Sequence, residues 1–192
     1  MRNECTWYGV SCDGERNVVT EINLWESNLI GTVPPELGLL TDLAELALYG
    51  NEIRGTIPTQ LGQLINLENL YMNSNSLHGT IPLEVLSLSK MEELRLDSND
   101  LKGTLPSHIG GLKNIKQIRL EENIITGSLP IELGLLTHLR GLRLDANRFS
   151  GSIPEEILAG CSDLRVLRLD DNLLHGTIPF HNGYLIWIEI LR

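Results

Sequence analysis

The sequence lacks the features that mark membrane proteins and nucleic-acid-binding proteins. No apolar run reaches the roughly 18 residues of a transmembrane helix, and Met1–Cys5 contains no apolar signal segment. No run of lysines and arginines occurs, and 25 acidic residues outweigh 15 basic ones for a net charge of -10. An acidic surface repels phosphate backbones and anionic lipids. We therefore expect no nucleic-acid partner and no membrane contact by this segment itself.

Motifs with catalytic or metal-binding chemistry are also missing from the sequence. It has no His-Glu-x-x-His, no Cys-x-x-Cys, no Gly-x-Ser-x-Gly and no P-loop phrase. The histidines are scattered, and His78 and His175 simply occupy the same slot of a repeat. The carboxylates are numerous but periodic, with no sign of a pocket that would shift their pKa values. We expect no enzyme activity, no metal site and no cofactor.

What the sequence does contain is one short phrase that returns along the chain: glycine, threonine or serine, an aliphatic residue, and proline. The phrases begin at Gly31, Gly55, Gly79, Gly103, Gly127, Gly151 and Gly176, so successive glycines lie 24 residues apart until a last interval of 25. A fixed period of this length predicts a solenoid. Each coil of a solenoid buries its apolar face only against its neighbours, so the array counts as one domain.

Every coil places leucines around a predicted strand, and nearly every coil follows the strand with an asparagine. In the third coil the strand is Leu70-Tyr71-Met72, which alternates apolar and polar residues. Strands spaced one coil apart predict a long parallel sheet. The asparagine slot holds Asn51, Asn75, Asn99, Asn123, Asn147 and Asn172. Because an amide both donates and accepts hydrogen bonds, we expect a structural asparagine ladder that satisfies the backbone where each coil leaves its strand.

The repeat resembles that of the plant-specific class of leucine-rich repeat proteins, whose coils carry a Leu-x-Gly-x-Ile-Pro phrase. The opening Cys5-x-Trp7-x-Gly9-Val10-x-Cys12 is similar to the cysteine-paired N-terminal cap of that class. The resemblance implies an α/β fold: a right-handed leucine-rich repeat solenoid, or horseshoe, with a concave parallel β-sheet and a second short β-sheet at the Gly-Thr-Ile-Pro phrase. It also implies a Cys5–Cys12 disulfide, whereas in an intracellular protein the same cysteines would be two free thiols.

The sequence divides into three parts. Residues 1–17 form the N-terminal cap with its cysteine pair, residues 18–179 form seven coils of 24 or 25 residues, and residues 180–192 form a truncated eighth coil or an ad hoc C-terminal cap. One extra residue lies between Ile157 and Leu164, in a surface loop, and Cys161 within that stretch is expected to be buried and inert. The absence of a C-terminal cysteine pair suggests a fragment of a longer, membrane-associated protein.

Alternation along the strands predicts which side chains point out of the concave sheet together. The N-terminal third offers an aromatic cluster, and the C-terminal part offers a row of arginines beside a row of carboxylates. The aromatic residues are Trp25, Tyr49 and Tyr71; the arginines are Arg95, Arg119, Arg143 and Arg168; the carboxylates are Asp97, Glu121, Asp145 and Asp170. In each coil the arginine and the acid are two residues apart, so we expect them to pair. Such a face is either a well-solvated strand surface or a polar groove for a peptide that carries both charges.

A row of hydroxyl side chains follows the repeated glycines. Its members are Thr32, Thr56, Thr80, Thr104, Ser128, Ser152 and Thr177. Threonine favours strands, so these residues belong to the second sheet. Regular hydroxyls on a flat side of a solenoid are also typical of surfaces that bind ice or repeating glycans.

The resemblance implies non-catalytic recognition: a ligand- or protein-binding ectodomain of a receptor-like kinase or receptor-like protein, of the signalling or defence type. Its partners would be a protein or peptide ligand, a co-receptor or a pathogen enzyme. The parent protein would lie at the extracellular face of the plasma membrane or be secreted, although the chain has no Asn-x-Ser/Thr sequon, which counts against that location. The alternatives are a secreted inhibitor of pathogen cell-wall enzymes, resembling polygalacturonase-inhibiting proteins, and an ice- or glycan-binding solenoid.

Overall fold

Each repeat builds one coil with a strand on either side of its core. A computed structural model describes residues 4–179. Its strands are β1 (Val10–Cys12), β2 (Val19–Asn23), β3 (Ile30–Thr32), β4 (Glu45–Ala47), β5 (Glu52–Gly55), β6 (Asn69–Tyr71), β7 (Ser76–Gly79), β8 (Glu93–Arg95), β9 (Asp100–Thr104), β10 (Gln117–Arg119), β11 (Ile124–Gly127), β12 (Gly141–Arg143), β13 (Arg148–Gly151), β14 (Val166–Arg168) and β15 (Leu173–Leu174). β1 and then the even-numbered strands β2 to β14 form one sheet, the concave sheet, and the remaining odd-numbered strands form a second, the lateral sheet.

The concave sheet keeps the same slot of every coil side by side. Its repeat strands pair in parallel without any shift, so that Leu70 lies between Leu46 and Leu94. These three leucines are fully buried, and the residues on either side of each therefore point to the opposite face. Only the cap strand β1 runs antiparallel, as the partner of β2 at the N-terminal edge. The predicted columns of side chains are therefore the true neighbours of the folded chain.

The strands of the lateral sheet lie slightly earlier than the Gly-Thr-Ile-Pro phrase alone predicts. Strand β7 ends at Gly79, and even the longer β9 ends at Thr104, two residues before Pro106. Proline has no backbone N–H and cannot extend a ladder of hydrogen bonds. The second sheet therefore lies at the phrase, as expected, but six of its seven strands end within the phrase, at its glycine or threonine.

The convex side consists of short helical segments, most of them 3-10 helices. These are Pro35–Leu39, Thr59–Gln63, Val85–Ser87, Ser107–Gly111 and Ile131–Leu135, and a further 3-10 segment, Glu4–Thr6, lies in the cap. The 25-residue coil instead contains an α-helix, α1, at Glu155–Gly160. There the N–H of Cys161 donates to the carbonyl of Ile157, four residues back, whereas Leu136 donates to Leu133, three residues back. The extra residue is thus accommodated by one wider helical turn.

The asparagine side chains hold consecutive coils together. The amide of Asn123 donates to the carbonyls of Leu96 and Leu120 at 3.1 Å, and its oxygen accepts the N–H of Leu101 at 2.9 Å. The other asparagines of the ladder make the same kind of contacts. Each amide therefore satisfies backbone groups of its own coil and of the preceding coil.

The three cysteines are in two different states. Cys5 and Cys12 form a disulfide that ties the cap to itself. Cys161 is a free thiol, 4% exposed, whose Sγ–H donates to the carbonyl of Leu133 at 3.1 Å. Burial raises the pKa of this thiol to about 11, which keeps it protonated and unreactive.

Both ends of the sequence extend beyond the residues that the structure describes. The expected eighth coil or C-terminal cap, residues 180–192, is outside the described residues, as are residues 1–3 of the N-terminal cap. Within residues 4–179 no helix is long and apolar enough to cross a membrane.

Candidate functional site

Two aromatic rings stack at the N-terminal end of the concave sheet. The ring centroids of Trp25 and Tyr49 are 5.6 Å apart and the ring planes differ by 5°. Trp25 remains 46% exposed. The two residues occupy the same column in neighbouring coils, which is why their rings can lie face to face.

Tyr71 does not join this stack, contrary to the single aromatic cluster that the sequence suggested. It occupies a different column, two residues earlier in its coil than the slot of Trp25 and Tyr49. Its hydroxyl donates to Glu93 Oε2 at 2.6 Å. The guanidinium carbon of Arg95 lies 5.1 Å from the centre of its ring. Tyr71 thus belongs to the charged part of the surface, where it supports an arginine through a cation–π contact.

The arginines pair with carboxylates less regularly than the sequence suggested. Arg119 does contact the acid of its own coil, with Nη2 at 2.6 Å from Glu121 Oε1. Arg95 instead turns to Glu93, two residues earlier, with Nη2 and Nε at 2.6 and 2.9 Å from Oε1. Within residues 4–179, the side chain of Arg143 makes no hydrogen bond or salt bridge. The expected pairing therefore does not hold for Arg95 or Arg143.

Two of the four carboxylates in the row are buried, although the alternation of the strands predicts an exposed position for each of them. Asp97 and Glu121 are only 5% and 7% exposed. One oxygen each of Asp97, Glu121 and Asp145 is buried without a hydrogen-bond donor among the described residues. The nearest cation to that oxygen of Asp97 is Arg119 Nε, at 3.6 Å, which is longer than a hydrogen bond. The row therefore has spare capacity to accept hydrogen bonds.

Burial also changes the acidity of this row. It raises the pKa of Asp97 to about 6, and the neighbouring charge of Glu121 adds to the effect. The pKa of Asp145 is also raised, mainly by burial and then by the charge of Glu121. Glu121 receives two bonds from the guanidinium of Arg119. Asp97 therefore changes its charge in a mildly acidic pH range, in the middle of the surface.

Sequence reasoning did not assign Glu93, Tyr8 or Ser11 to a site. The alternation of the strand places Glu93 on the concave face, two residues before Arg95. Only the structure shows that it bonds both Arg95 and Tyr71. Tyr8 and Ser11 belong to the cap, and a cavity joins them to the first coil. Among residues 4–179 no group of three or more histidine, cysteine, aspartate or glutamate side chains is arranged to hold a metal ion.

The fold and its repeated sequence define a leucine-rich repeat solenoid. The family model for the leucine-rich repeat matches residues 66–89 and 90–112, and the parallel in-register sheet agrees with that match. No curated protein matches the chain in sequence.

The particular proteins that it resembles are plant proteins of known structure. The plant peptide hormone receptor RGFR1, solved in complex with RGF2, is 32% identical over 79% of this chain and 28% of the receptor chain, with a TM-score of 0.73. The Arabidopsis receptor kinase HAESA, solved with the peptide hormone IDA and the co-receptor SERK1, is 33% identical over 78% of this chain and 25% of that one, with a TM-score of 0.75.

A plant ice-binding protein is similar over almost the whole chain. Its identity is 29%, and the alignment covers 97% of this chain and 61% of that protein with a TM-score of 0.87. The chain thus spans between about a quarter and three fifths of the lengths of these relatives. Together these comparisons show a leucine-rich repeat solenoid that is similar to the ectodomains of plant receptors.

Proposed function

We propose that the concave sheet binds a peptide or protein ligand, and that the chain is part of the extracellular portion of a receptor-like kinase or receptor-like protein. The observation that carries the proposal is the unsatisfied polar surface in the middle of the sheet. The guanidinium of Arg143 has no partner within residues 4–179, and three neighbouring carboxylates each keep an oxygen without a donor. Groups that the protein itself leaves unpaired gain most from a ligand that pairs them.

The chemistry of this surface suits a peptide better than a simple polyanion. Arg143 can bind a ligand carboxylate, while Asp97 and Asp145 repel it and attract backbone or side-chain N–H groups. Trp25 and Tyr49 supply a rigid apolar patch at the other end of the sheet. Aromatic and arginine side chains are those that dominate binding energy in protein interfaces.

Two further observations support an extracellular receptor. The similar structures of RGFR1 and HAESA are complexes with peptide hormones. The Cys5–Cys12 disulfide persists only in an oxidising compartment, such as the extracellular space.

A peptide-display selection tests the binding surface directly. Random peptides selected on the wild-type chain should bind at least about tenfold more weakly to Arg119→Ala/Arg143→Ala, since a lost charge-assisted contact costs roughly that factor. The control is Lys102→Ala/Arg148→Ala, which removes the same charge from exposed positions of the lateral sheet. Equal binding to both double variants, or an equal loss in both, would contradict the proposal.

A second candidate function rests on the lateral sheet. The hydroxyl residues Thr32 to Thr177 of the predicted row are exposed in all seven coils. A Cβ added to Gly103 or Gly127 would lie 2.8 Å from the methyl group of Thr80 or Thr104, respectively, in the preceding coil. Each of these methyl groups therefore packs against a glycine of the next coil. The same contact fixes the side chains of Thr32, Thr56, Thr80 and Thr104, which remain exposed. Rigid hydroxyls about 4.8 Å apart can order water in a regular array.

We propose ice binding as the role of this row, because the similarity to the plant ice-binding protein extends over nearly the whole chain. The wild-type chain should then slow the recrystallisation of ice, and the triple variant Thr56→Ala/Thr80→Ala/Thr104→Ala should lose that effect. The concave variant Arg119→Ala/Arg143→Ala serves as the control and should retain it. A wild-type chain that leaves ice growth unchanged would reject this candidate.

A further inference from the structure

A cavity joins the N-terminal cap to the first coil at the edge of the concave sheet. Its volume is about 320 Å³, and its walls are formed by Tyr8, Gly9, Val10, Ser11, Glu21, Asn23 and Trp25. Ser11 of strand β1 lies directly opposite Glu21 of strand β2, so both side chains share the concave face. We call this cavity the cap pocket. It is large enough for one side chain of a ligand.

The floor of the cap pocket depends on a glycine. The N–H of Asn23 donates to the carbonyl of Gly9 at 2.6 Å. Gly9 has a φ of 72°, and a Cβ at this position would lie 2.3 Å from the carbonyl oxygen of Asn23. Only glycine permits the cap to approach the first coil this closely.

Aromatic side chains at the cap pocket present faces that the protein does not cover. One face of Trp25 stacks on Tyr49 in the next coil. Because Tyr49 lies on the C-terminal side, the other face of the indole turns toward the cap and the pocket. Tyr8, on the cap side, is 86% exposed. Neither exposed ring surface contributes to the core, and exposed aromatic patches mark binding sites.

The polar groups at the cap pocket call for hydrogen-bond donors and a positive charge. The outward positions of the first three coils include Glu21 and Glu45 but no lysine or arginine. Asn23 Oδ1 is buried without a donor among the described residues, and Asn23 Nδ2 lies 3.5 Å from Glu21 Oε1. The pKa of Glu45 is raised by burial and then by the charge of Glu21, so the two carboxylates share an uncompensated negative field.

The third and fourth coils of the same chain show what satisfies this combination. There the guanidinium of Arg95 lies over the ring of Tyr71 and bonds the carboxylate of Glu93. The cap pocket repeats the ring and the carboxylate, in Trp25 and Glu21, without the arginine.

We propose that the cap pocket binds an arginine side chain of the ligand. The guanidinium stacks on the free face of Trp25, donates to the carboxylate of Glu21, and donates to Asn23 Oδ1. A guanidinium fits better than an ammonium because its planar fork can stack and donate at the same time. This inference rests on the proposed function, since it names one residue of the peptide that the concave sheet would bind.

Blocked tripeptides provide the test. N-acetylated and C-amidated Ala-Arg-Ala is titrated at constant ionic strength, and binding is followed by NMR at the amides of Gly9 and Ser11 and at the Trp25 indole. Its counterparts contain lysine or citrulline, which has the shape of arginine without the charge. We expect the arginine peptide to bind most tightly, the lysine peptide more weakly, and the citrulline peptide at least about tenfold more weakly than arginine.

Matched variants separate this pocket from general attraction to an acidic protein. Glu21→Gln should weaken the arginine peptide about tenfold, and Glu52→Gln, an exposed lateral-sheet residue with the same charge change, should not. Equal binding of arginine and citrulline, or an equal effect of the two variants, would overturn the inference. If display-selected peptides still depend on Arg119 and Arg143 while the arginine tripeptide does not bind, the cap pocket is rejected and the recognition function stands.

Discussion

At the scale of single residues, the asparagine ladder permits the most definite prediction of stability. Asn123 is buried and bonds three carbonyls and one N–H from two coils. Asn123→Ala leaves the N–H of Leu101 without an acceptor. It also removes one donor from each of the three carbonyls, which keep their bonds from Asn99, Asn147 and the N–H of Ser98. We therefore expect the free energy of unfolding to fall by about 2 kcal/mol or more. Urea denaturation measures it. Asn114→Ala removes one exposed bond, to the carbonyl of Ser89, and should cost less than about 1 kcal/mol. Similar losses in both variants would contradict the assigned role.

Asp97 provides a prediction about pH. Its pKa in the folded chain, about 6, lies above its ordinary value of 3.8, so folding favours the protonated form. Burial of the carboxylate therefore costs nothing well below pH 4, and the cost grows until the pH exceeds 6. The full cost is about 3 kcal/mol at about 1.4 kcal/mol per pKa unit.

Asp97→Asn removes this cost and should stabilise the chain by up to about 3 kcal/mol at pH 7.5, with little gain at pH 4. Chemical denaturation at the two pH values measures the difference. Asp100→Asn makes the same change at an exposed lateral position and serves as the control. If Asp97→Asn is no more stable than wild type at pH 7.5, or if its stability rises equally at both pH values, the ionised carboxylate does not destabilise the folded chain.

The columns of side chains could be predicted from the sequence, but the choice among partners could not. A period of two places Arg95 and Asp97 on one face, and the strand pairing agrees. A long arginine side chain reaches either neighbouring acid, however. Glu93 prevails for Arg95 because Tyr71 lies beside it and binds both groups. Burial of Asp97 likewise depends on the side chains of adjacent coils, which no single repeat contains.

At the scale of elements, the C-terminal ends of four lateral strands each depend on a glycine and on a threonine of the preceding coil. Gly103 has a φ of 84°, and a Cβ there would lie 2.8 Å from the Cγ2 atom of Thr80. Gly103→Ala should therefore lower the free energy of unfolding by about 1 to 3 kcal/mol. Adding Thr80→Ser removes the methyl group and should restore part of the loss, while the strained φ keeps the rest.

Gly14→Ala is the matched control for this prediction. Gly14 has no atom within 4 Å of an added Cβ, so its substitution should be close to neutral. Thermal or urea unfolding of the wild type, Gly103→Ala, Thr80→Ser and the double variant completes a double-mutant cycle. A double variant no more stable than Gly103→Ala alone would rule out the methyl contact as a cause.

The existence of both sheets could be predicted at this scale, and their boundaries only in part. The repeat of apolar and polar residues indicates the strands, while proline sets where the lateral strands end. The α-helix at Glu155–Gly160 was not predictable from the pattern. An inserted residue predicts a longer loop as readily as a wider helical turn, and the packing of Ile157 decides between them.

At the scale of the whole molecule, the repeat predicts a fold but not a ligand. Stacked coils of fixed length determine a solenoid and the direction in which each column points. The cap pocket could not be predicted from the sequence because Tyr8 and Ser11 lie outside the repeat. Their position follows from the antiparallel pairing of β1 with β2. Sites formed between a repeat array and its cap have no periodic signal.

The most direct test of the central claim is a footprint of a display-selected peptide on the wild-type chain, obtained by NMR. We expect the largest shifts on the concave sheet, at the Trp25 indole and at the Nε–H groups of Arg119 and Arg143. Residues that directly follow the lateral strands, such as Thr56 and Thr80, should shift little. Large shifts confined to the lateral sheet or to the convex segments, with the concave side chains unchanged, would contradict the claim that the concave sheet is the recognition surface.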